Sequence, residues 1–210
     1  QNSDGPRLLK NERMGPMVQG AKVTLNKFYP LKNGRLLAAA DVNGVVEYNK
    51  TGGLQPLNTG YTSSLHRFAR MNDSLWVAID LNHSAQFTNT RLQARSPLIH
   101  LGVITAFTDS RRRTWVGTTQ GLKLLDPASQ PAKGFLWMPL PALFDLDILR
   151  KAYITDMFED SQGNLWIGSL NGLVKVNEND GSVVLSDKDG LPTSFVNCIT
   201  EDNQHNIWIG

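Results

Sequence analysis

The chain has 210 residues, a formal net charge of +2 and one cysteine, Cys198. Hydrophobic residues make up 40% and charged residues 19%, the composition of a globular protein with neither the basic excess of a nucleic-acid binder nor a polybasic membrane patch. One cysteine excludes an intramolecular disulfide framework, no apolar run approaches the ~20 residues of a membrane helix, and the N-terminus QNSDGPRLLKNE has no signal-peptide core.

In chain order, residues 1–21 open with a segment that reads as the third strand of a β-sheet unit, with Gly5 at its start. Residues 22–60 form a first full unit. Its NGRLLAAADVNGVVEYN, Asn33–Asn49, is a weak copy of a later pattern, with Leu37 or Ala38 where that pattern has Trp. Residues 61–97 are a degenerate unit, in which WVAIDLNHSAQF from Trp76 lacks both recurring glycines. Residues 98–151 hold a complete copy, DSRRRTWVGTTQGL at Asp109–Leu122, preceded by VITAFTD from Val103. An insertion follows, Pro131–Tyr153, whose apolar Leu143, Phe144, Leu146, Ile148 and Leu149 suit a short helix or an outer strand plus a long loop. It reads as a packed connection or as a loop over a binding face. Residues 152–192 hold ITDMFED, then DSQGNLWIGSLNGL, GLVKVN and SVVLSD; residues 193–210 hold VNCITED and DNQHNIWIG.

The Trp of the recurring pattern stands at 76, 115, 166 and 208, with spacings of 39, 51 and 42. Periods near ~40–45 with short strands mark propeller blades, each a four-stranded antiparallel sheet. The expected fold is therefore an all-β propeller of four to five blades. Joining IWIG to QNSDGPRLLKNE mimics IWIGSLNGLVKVNE. Two arrangements stay open: a five-blade ring closed by pairing the chain ends, or a slice of a larger propeller. The recurring Asp, six residues before Trp, suits an Asx turn. The Trp suits packing between blades, and the Gly suits close approach or a special turn. The alternation of Val103 with Phe107, Ile154 with Phe158 and Val196 with Thr200 places each pair on one face of a strand.

ITDMFEDSQGNLWIGSLNGLVKVNENDG…LSDKDGLPTSFVNCITEDNQHNIWIG resembles the two-component regulator propeller repeat, strongly over about Val103–Gly210 and in outline over residues 22–100. The resemblance implies the periplasmic or extracellular sensor of a Bacteroidetes hybrid two-component system, part of an inner-membrane protein. It implies an oligosaccharide or other small-molecule ligand, a homodimer formed through the rest of the sensor, and membrane contact only through segments outside this chain. No catalytic residue, metal or cofactor, and no nucleic-acid partner, is expected in this segment. Histidines at 66, 83, 100 and 205 give no zinc spacing, and GxSxG, HExxH and P-loop motifs are absent. The alternatives are a protein-interaction scaffold and a propeller lyase or hydrolase. Cys198 reads as a buried small hydrophobe, and Arg111–Arg113 as a solvated hairpin tip.

Ligands of propellers commonly use the face formed by the second-to-third-strand loops and the blade connections, near the axis. The loops supply Thr118, Thr119, Gln120, Ser169, Leu170, Asn171, Asp41 and Asn43; the connections supply Tyr61, Arg150, Lys151, Tyr153, Ser194 and Phe195. An aromatic face beside hydrogen-bonding side chains suits a sugar, which singles out Tyr61, Arg150, Tyr153, Asn171, Thr119 and Gln120.

Overall fold

The computed structural model describes residues 7–10, 13–17, 25–30, 36–40, 44–48, 54–57, 65–72, 74–89, 91 and 93–210. Strands β1 (Arg7–Lys10) and β2 (Arg13–Met17) pair with each other alone. Four antiparallel four-stranded sheets follow. The first contains β3 (Leu25–Pro30), β4 (Leu36–Ala40), β5 (Val45–Tyr48) and β6 (Leu54–Pro56). The second contains β7 (Leu65–Arg70), β8 (Trp76–Asp80), β9 (Ser84–Thr88) and β10 (Ile99–His100). The third contains β11 (Val103–Thr108), β12 (Thr114–Thr118), β13 (Gly121–Leu125) and β14 (Trp137–Met138). The fourth contains β15 (Ile154–Glu159), β16 (Leu165–Ser169), β17 (Gly172–Asn177) and β18 (Gly181–Leu185). A last pair is β19 (Ile199–Glu201) with β20 (Ile207–Ile209).

Strands β3, β7, β11, β15 and β19 pack on one another in succession, so the first strand of each blade is innermost. This is a β-propeller arc. Among the described residues the ring closed by pairing the chain ends is not formed: β1–β2 and β19–β20 are separate two-stranded sheets. The second blade extends to Ile99–His100, past residue 97, because β10 hydrogen-bonds to β9.

The recurring Asp and Trp are one device. In each of the three copies Trp pairs across the first hairpin with the residue two before Asp: Phe107 with Trp115, Phe158 with Trp166, Thr200 with Trp208. The carboxylate then reaches the indole. Nε1 of Trp115, Trp166 and Trp208 donates to Asp109, Asp160 and Asp202 at 2.9, 2.8 and 2.8 Å. The second carboxylate oxygen accepts backbone N–H groups of the turn, from Gln162 and Asn164 at Asp160.

Trp76 is not a copy of this Trp. Register places Arg70 opposite Trp76 and Ala69 opposite Val77, so Val77 occupies the Trp115 position and Trp76 that of Thr114. One residue of offset turns a side chain to the other face. Trp76 packs back on the first blade, with Leu37, Val45 and Phe68. Its Nε1 is buried without a hydrogen-bond partner among the described residues. In the first blade Leu37 stands at the Trp position, opposite Tyr29.

The expected alternation in the innermost strands is interrupted. Register shifts between Val103 and Thr105, and between Ile154 and Asp156. A bulge re-aims the residues beyond it. Val103 therefore packs towards the second blade with Val77 and Phe87, while Phe107 packs with Trp115 towards the fourth. Ile154 joins the Trp115 core, and Phe158 joins Val196 and Ile199 beyond it.

Gly117 and Gly168 make room for the next blade. A Cβ on Gly117 would lie 2.7 Å from Ile154 Cγ2, and one on Gly168 would lie 2.7 Å from Val196 Cγ1. The insertion forms both an outer strand, β14, and helix α1 (Asp147–Lys151), preceded by a 3-10 turn at Ala142–Phe144. Phe144 stacks on Trp115 at 4.3 Å between ring centres, and Leu149 is fully buried beside it. The insertion is thus a packed connection that fills the joint between the third and fourth blades. Cys198 is exposed, against the expectation of a buried residue.

Candidate functional site

Two adjoining depressions flank the outer part of the third blade at its second-to-third-strand hairpin. One, of about 350 Å³, is lined by His100, Gly102, Thr119, Gln120, Lys123 and Trp137. The other, of about 370 Å³, is lined by Lys123, Trp137, Met138, Leu140, Asp145 and Arg150. Lys123 and Trp137 border both. β14 pairs only with Leu124 and Leu125, so the Gly121–Lys123 end of β13 has no outer strand beside it. That short pairing opens the space, and it leaves Trp137 39% exposed.

Of the residues singled out by sequence, the structure brings Thr119, Gln120 and Arg150 around Lys123 and Trp137. Arg150 is exposed and bonds to Asp145 at 3.1 Å and to Asp147. The hydrogen bond to Asp147, then the charge of Asp145, raise its pKa, and Arg150 in turn lowers that of Asp147. Gly121, at φ +105, lies against the Arg150 carbonyl: a Cβ there would sit 2.4 Å from its oxygen. Tyr153 stands apart, edge-on to His83 at 6.3 Å between ring centres. Asn171 is exposed at the β16–β17 turn and lines neither depression. Tyr61, Asp41 and Asn43 lie outside the described residues.

Two offered residues are occupied by the scaffold. Thr118 Oγ1 donates to the Gly121 carbonyl and accepts from Gln120 N, and Ser169 Oγ does the same with Gly172 and Asn171. Sequence reasoning missed Lys123 and Trp137. The signal for Trp137 was its position: a Trp outside the repeat frame, in an insertion. The depressions also lie on the outer strands, away from the axis where ligands were expected.

Polar side chains of the innermost strands meet one another across the blades. Arg67 Nη1, in the second blade, donates to Thr105 Oγ1 at 3.0 Å and pairs with Asp156 of the fourth blade at 2.7 Å. Asp156 Oδ2 accepts from Ile199 N at 3.1 Å. All three side chains stand at the bulges of the innermost strands.

A Ser–His–Glu contact also occurs. Ser161 Oγ donates to Glu201 at 2.6 Å, and His205 Nδ1 lies 2.8 Å from Ser161 and 3.1 Å from Glu201. One ring nitrogen meets both partners and the hydroxyl hydrogen points to the carboxylate, so the imidazole cannot relay a proton from Ser to Glu. The same Ser-to-Glu grip recurs without a histidine at Ser110 and Glu159. It is a joint between blades.

The model of the two component regulator propeller family matches residues 148–171 and 190–210. These stretches are two-component regulator propeller repeats. Each spans a blade joint: the first runs from α1 through β15 and β16, the second from the connection through β19 and β20. No curated protein matches the chain. Among solved structures, the extracellular domain of a putative hybrid two component system from B. thetaiotaomicron is similar, with TM-score 0.64 and 16% identity over 89% of this chain. PorZ of Porphyromonas gingivalis, a surface component of the type-IX secretion system, has TM-score 0.65 and 11% identity over 99% of this chain and 35% of its own. Virginiamycin B lyase from Staphylococcus aureus has TM-score 0.61 and 11% identity over 91% of this chain and 64% of its own. Identities this low show the propeller fold alone. The chain spans 25% of the length of the first of these structures.

In the regulator propeller repeats the matched residues are scaffold: the Asp–Trp bond, the Gly that admits the next blade, and the Ser–Glu grip. The two depressions lie mostly before the first matched stretch. No helix among the described residues is long and apolar enough to cross a membrane.

Proposed function

We propose that the chain is a ligand-sensing segment of an extracytoplasmic two-component sensor, and that its hairpin face takes an oligosaccharide. The observation that carries the reading is the pair of depressions sharing Trp137 and Lys123, with Thr119 and Gln120 on one side and Arg150 on the other. A half-exposed indole offers an apolar face to a sugar ring, and amide, hydroxyl, ammonium and guanidinium groups around it suit sugar hydroxyls. Similarity in fold to the extracellular domain of a putative hybrid two component system supports the placement outside the inner membrane. The full protein's dimerisation and signalling belong to the same proposal.

The test is calorimetric titration with a panel of plant and host oligosaccharides. Binding should appear for one class and fall at least about tenfold in Trp137→Ala and in Arg150→Ala. Binding that survives Trp137→Ala, Arg150→Ala and Gln120→Ala together would place the ligand elsewhere.

A protein-binding scaffold is the second reading. Leu170 and Phe195, 44% and 49% exposed, are apolar side chains on the same hairpin and connection face, and the similar propeller YCF48 is bound to a D1 peptide. Loss of a protein partner on Phe195→Ala, with no oligosaccharide binding, would favour it.

A further inference from the structure

The opposite, turn end of the third blade carries a larger depression, of about 810 Å³. Its exposed apolar lining is Pro127, Met138 and Pro141, and its charged lining is Arg70, Arg111, Arg112 and Arg113. The three consecutive arginines are not equivalent. Arg113 bonds to Asp109 at 2.7 Å and to Glu178 of the fourth blade at 2.6 Å, and Arg111 pairs with the other oxygen of Glu178. Both are committed to joining blades. The Arg112 backbone N–H donates to the Asp109 carbonyl at 2.9 Å, but its exposed side chain has no hydrogen bond or ion pair with the described residues.

Arg112 is also held at φ +64, a left-handed conformation that disfavours any residue with a Cβ. The matching turn position is Gly163 at φ +78 in the fourth blade and His205 at φ +65 in the fifth. Glycine suits this turn. An arginine here places a guanidinium beside the cavity at a cost to the backbone.

We propose that this depression binds a small organic oxyanion, a ring-sized body with an acid group, with the body on Pro127, Met138 and Pro141 and the acid group on Arg112. The volume suits such a ligand. The charges of Arg111 and Arg113 are matched by Glu178 and Asp109, which leaves Arg112 to meet the acid group. The site is independent of the hairpin-face reading, since it uses none of the same residues except Met138.

The probes are naphthalene-2-sulfonate and its neutral counterpart 2-naphthalenemethanol, titrated by NMR and calorimetry. The sulfonate should bind at least about tenfold more tightly than the alcohol and weaken as salt is raised. Arg112→Gly keeps the turn conformation and should reduce sulfonate affinity about tenfold, whereas Lys188→Ala removes the same charge elsewhere and should not. No sulfonate binding, equal binding of both probes, or unchanged affinity in Arg112→Gly would overturn the proposal.

Discussion

At the residue scale the central fact is that Asp160 serves three purposes with one side chain. It closes the turn through backbone N–H groups, holds Asn164 and accepts the Trp166 indole N–H. Burial pushes its pKa up, but the hydrogen bonds from Trp166, Asn164 and the backbone outweigh this and leave it below 3.8. A carboxylate with a lowered folded pKa contributes stability above its unfolded pKa, and that contribution disappears as pH falls through the folded value. Denaturant unfolding followed from about pH 6 to pH 2 should therefore show an acid loss that Asp160→Asn reduces. At neutral pH, Asp160→Ala should cost about 3 kcal/mol, since it leaves several buried donors without an acceptor. Trp115→Phe should cost about 1–2 kcal/mol through the lost bond to Asp109. Trp76→Phe should cost under about 1 kcal/mol because its N–H bonds to nothing described. Equal losses from the two Trp variants, measured by chemical denaturation, would contradict the register given above.

The spacing of Asp and Trp was legible in the sequence, and so was the role of each alone. Their bond was not, because a six-residue separation becomes a contact only once the hairpin register is known. Trp76 misled for the same reason: nothing in WVAIDL distinguishes a Trp at the recurring position from one a residue earlier. The missing Asp six residues before it, where Arg70 stands, was the available clue.

At the scale of elements, the innermost strands and the insertion explain what periodicity missed. A bulge leaves no mark in a two-residue alternation, so Val103 and Phe107 were placed together although they serve different joints. The insertion read as a packed connection or a loop over a binding face, with a short helix or an outer strand; that a two-residue strand would fall at Trp137–Met138 was not legible, and with it went Trp137. The joints themselves yield two predictions. Gly117→Ala would force a Cβ against Ile154 and Thr105, both at 2.7 Å, and should cost about 1–3 kcal/mol in thermal or chemical unfolding. Ile154→Val in the same chain should not recover it, because valine keeps the Cγ2 and Cβ that the new atom meets. Ser161→Ala removes a surface grip on Glu201 and should cost only about 0.5–1 kcal/mol. Hydrogen exchange should quicken in β19 and β20 while the third blade stays unchanged.

At the scale of the whole molecule, the all-β propeller of repeated blades was readable from period alone, because each blade repeats the same hairpin chemistry. The polar network across the blades was not, since Arg67, Thr105 and Asp156 are unrelated types at corresponding positions. Arg67→Met should destabilise the protein by about 3 kcal/mol by withdrawing a partner from the buried Asp156 carboxylate. Adding Asp156→Asn should restore part of that, as a double-mutant cycle would measure. Full additivity of the two would mean that the pair does not couple.

The Ser-to-Glu grip has a consequence of another kind. Ser161 offers a hydroxyl and a backbone N–H on the outgoing side of its blade, and Glu201 brings a carboxylate to the incoming side of the next. Ser110 and Glu159 repeat the arrangement one blade earlier. Each such blade is thus a tile with a socket on one edge and a plug on the other, and the coupling carries no information about which copy it joins. Tiles of this sort can be duplicated, lost or exchanged in a gene without their neighbours having to change.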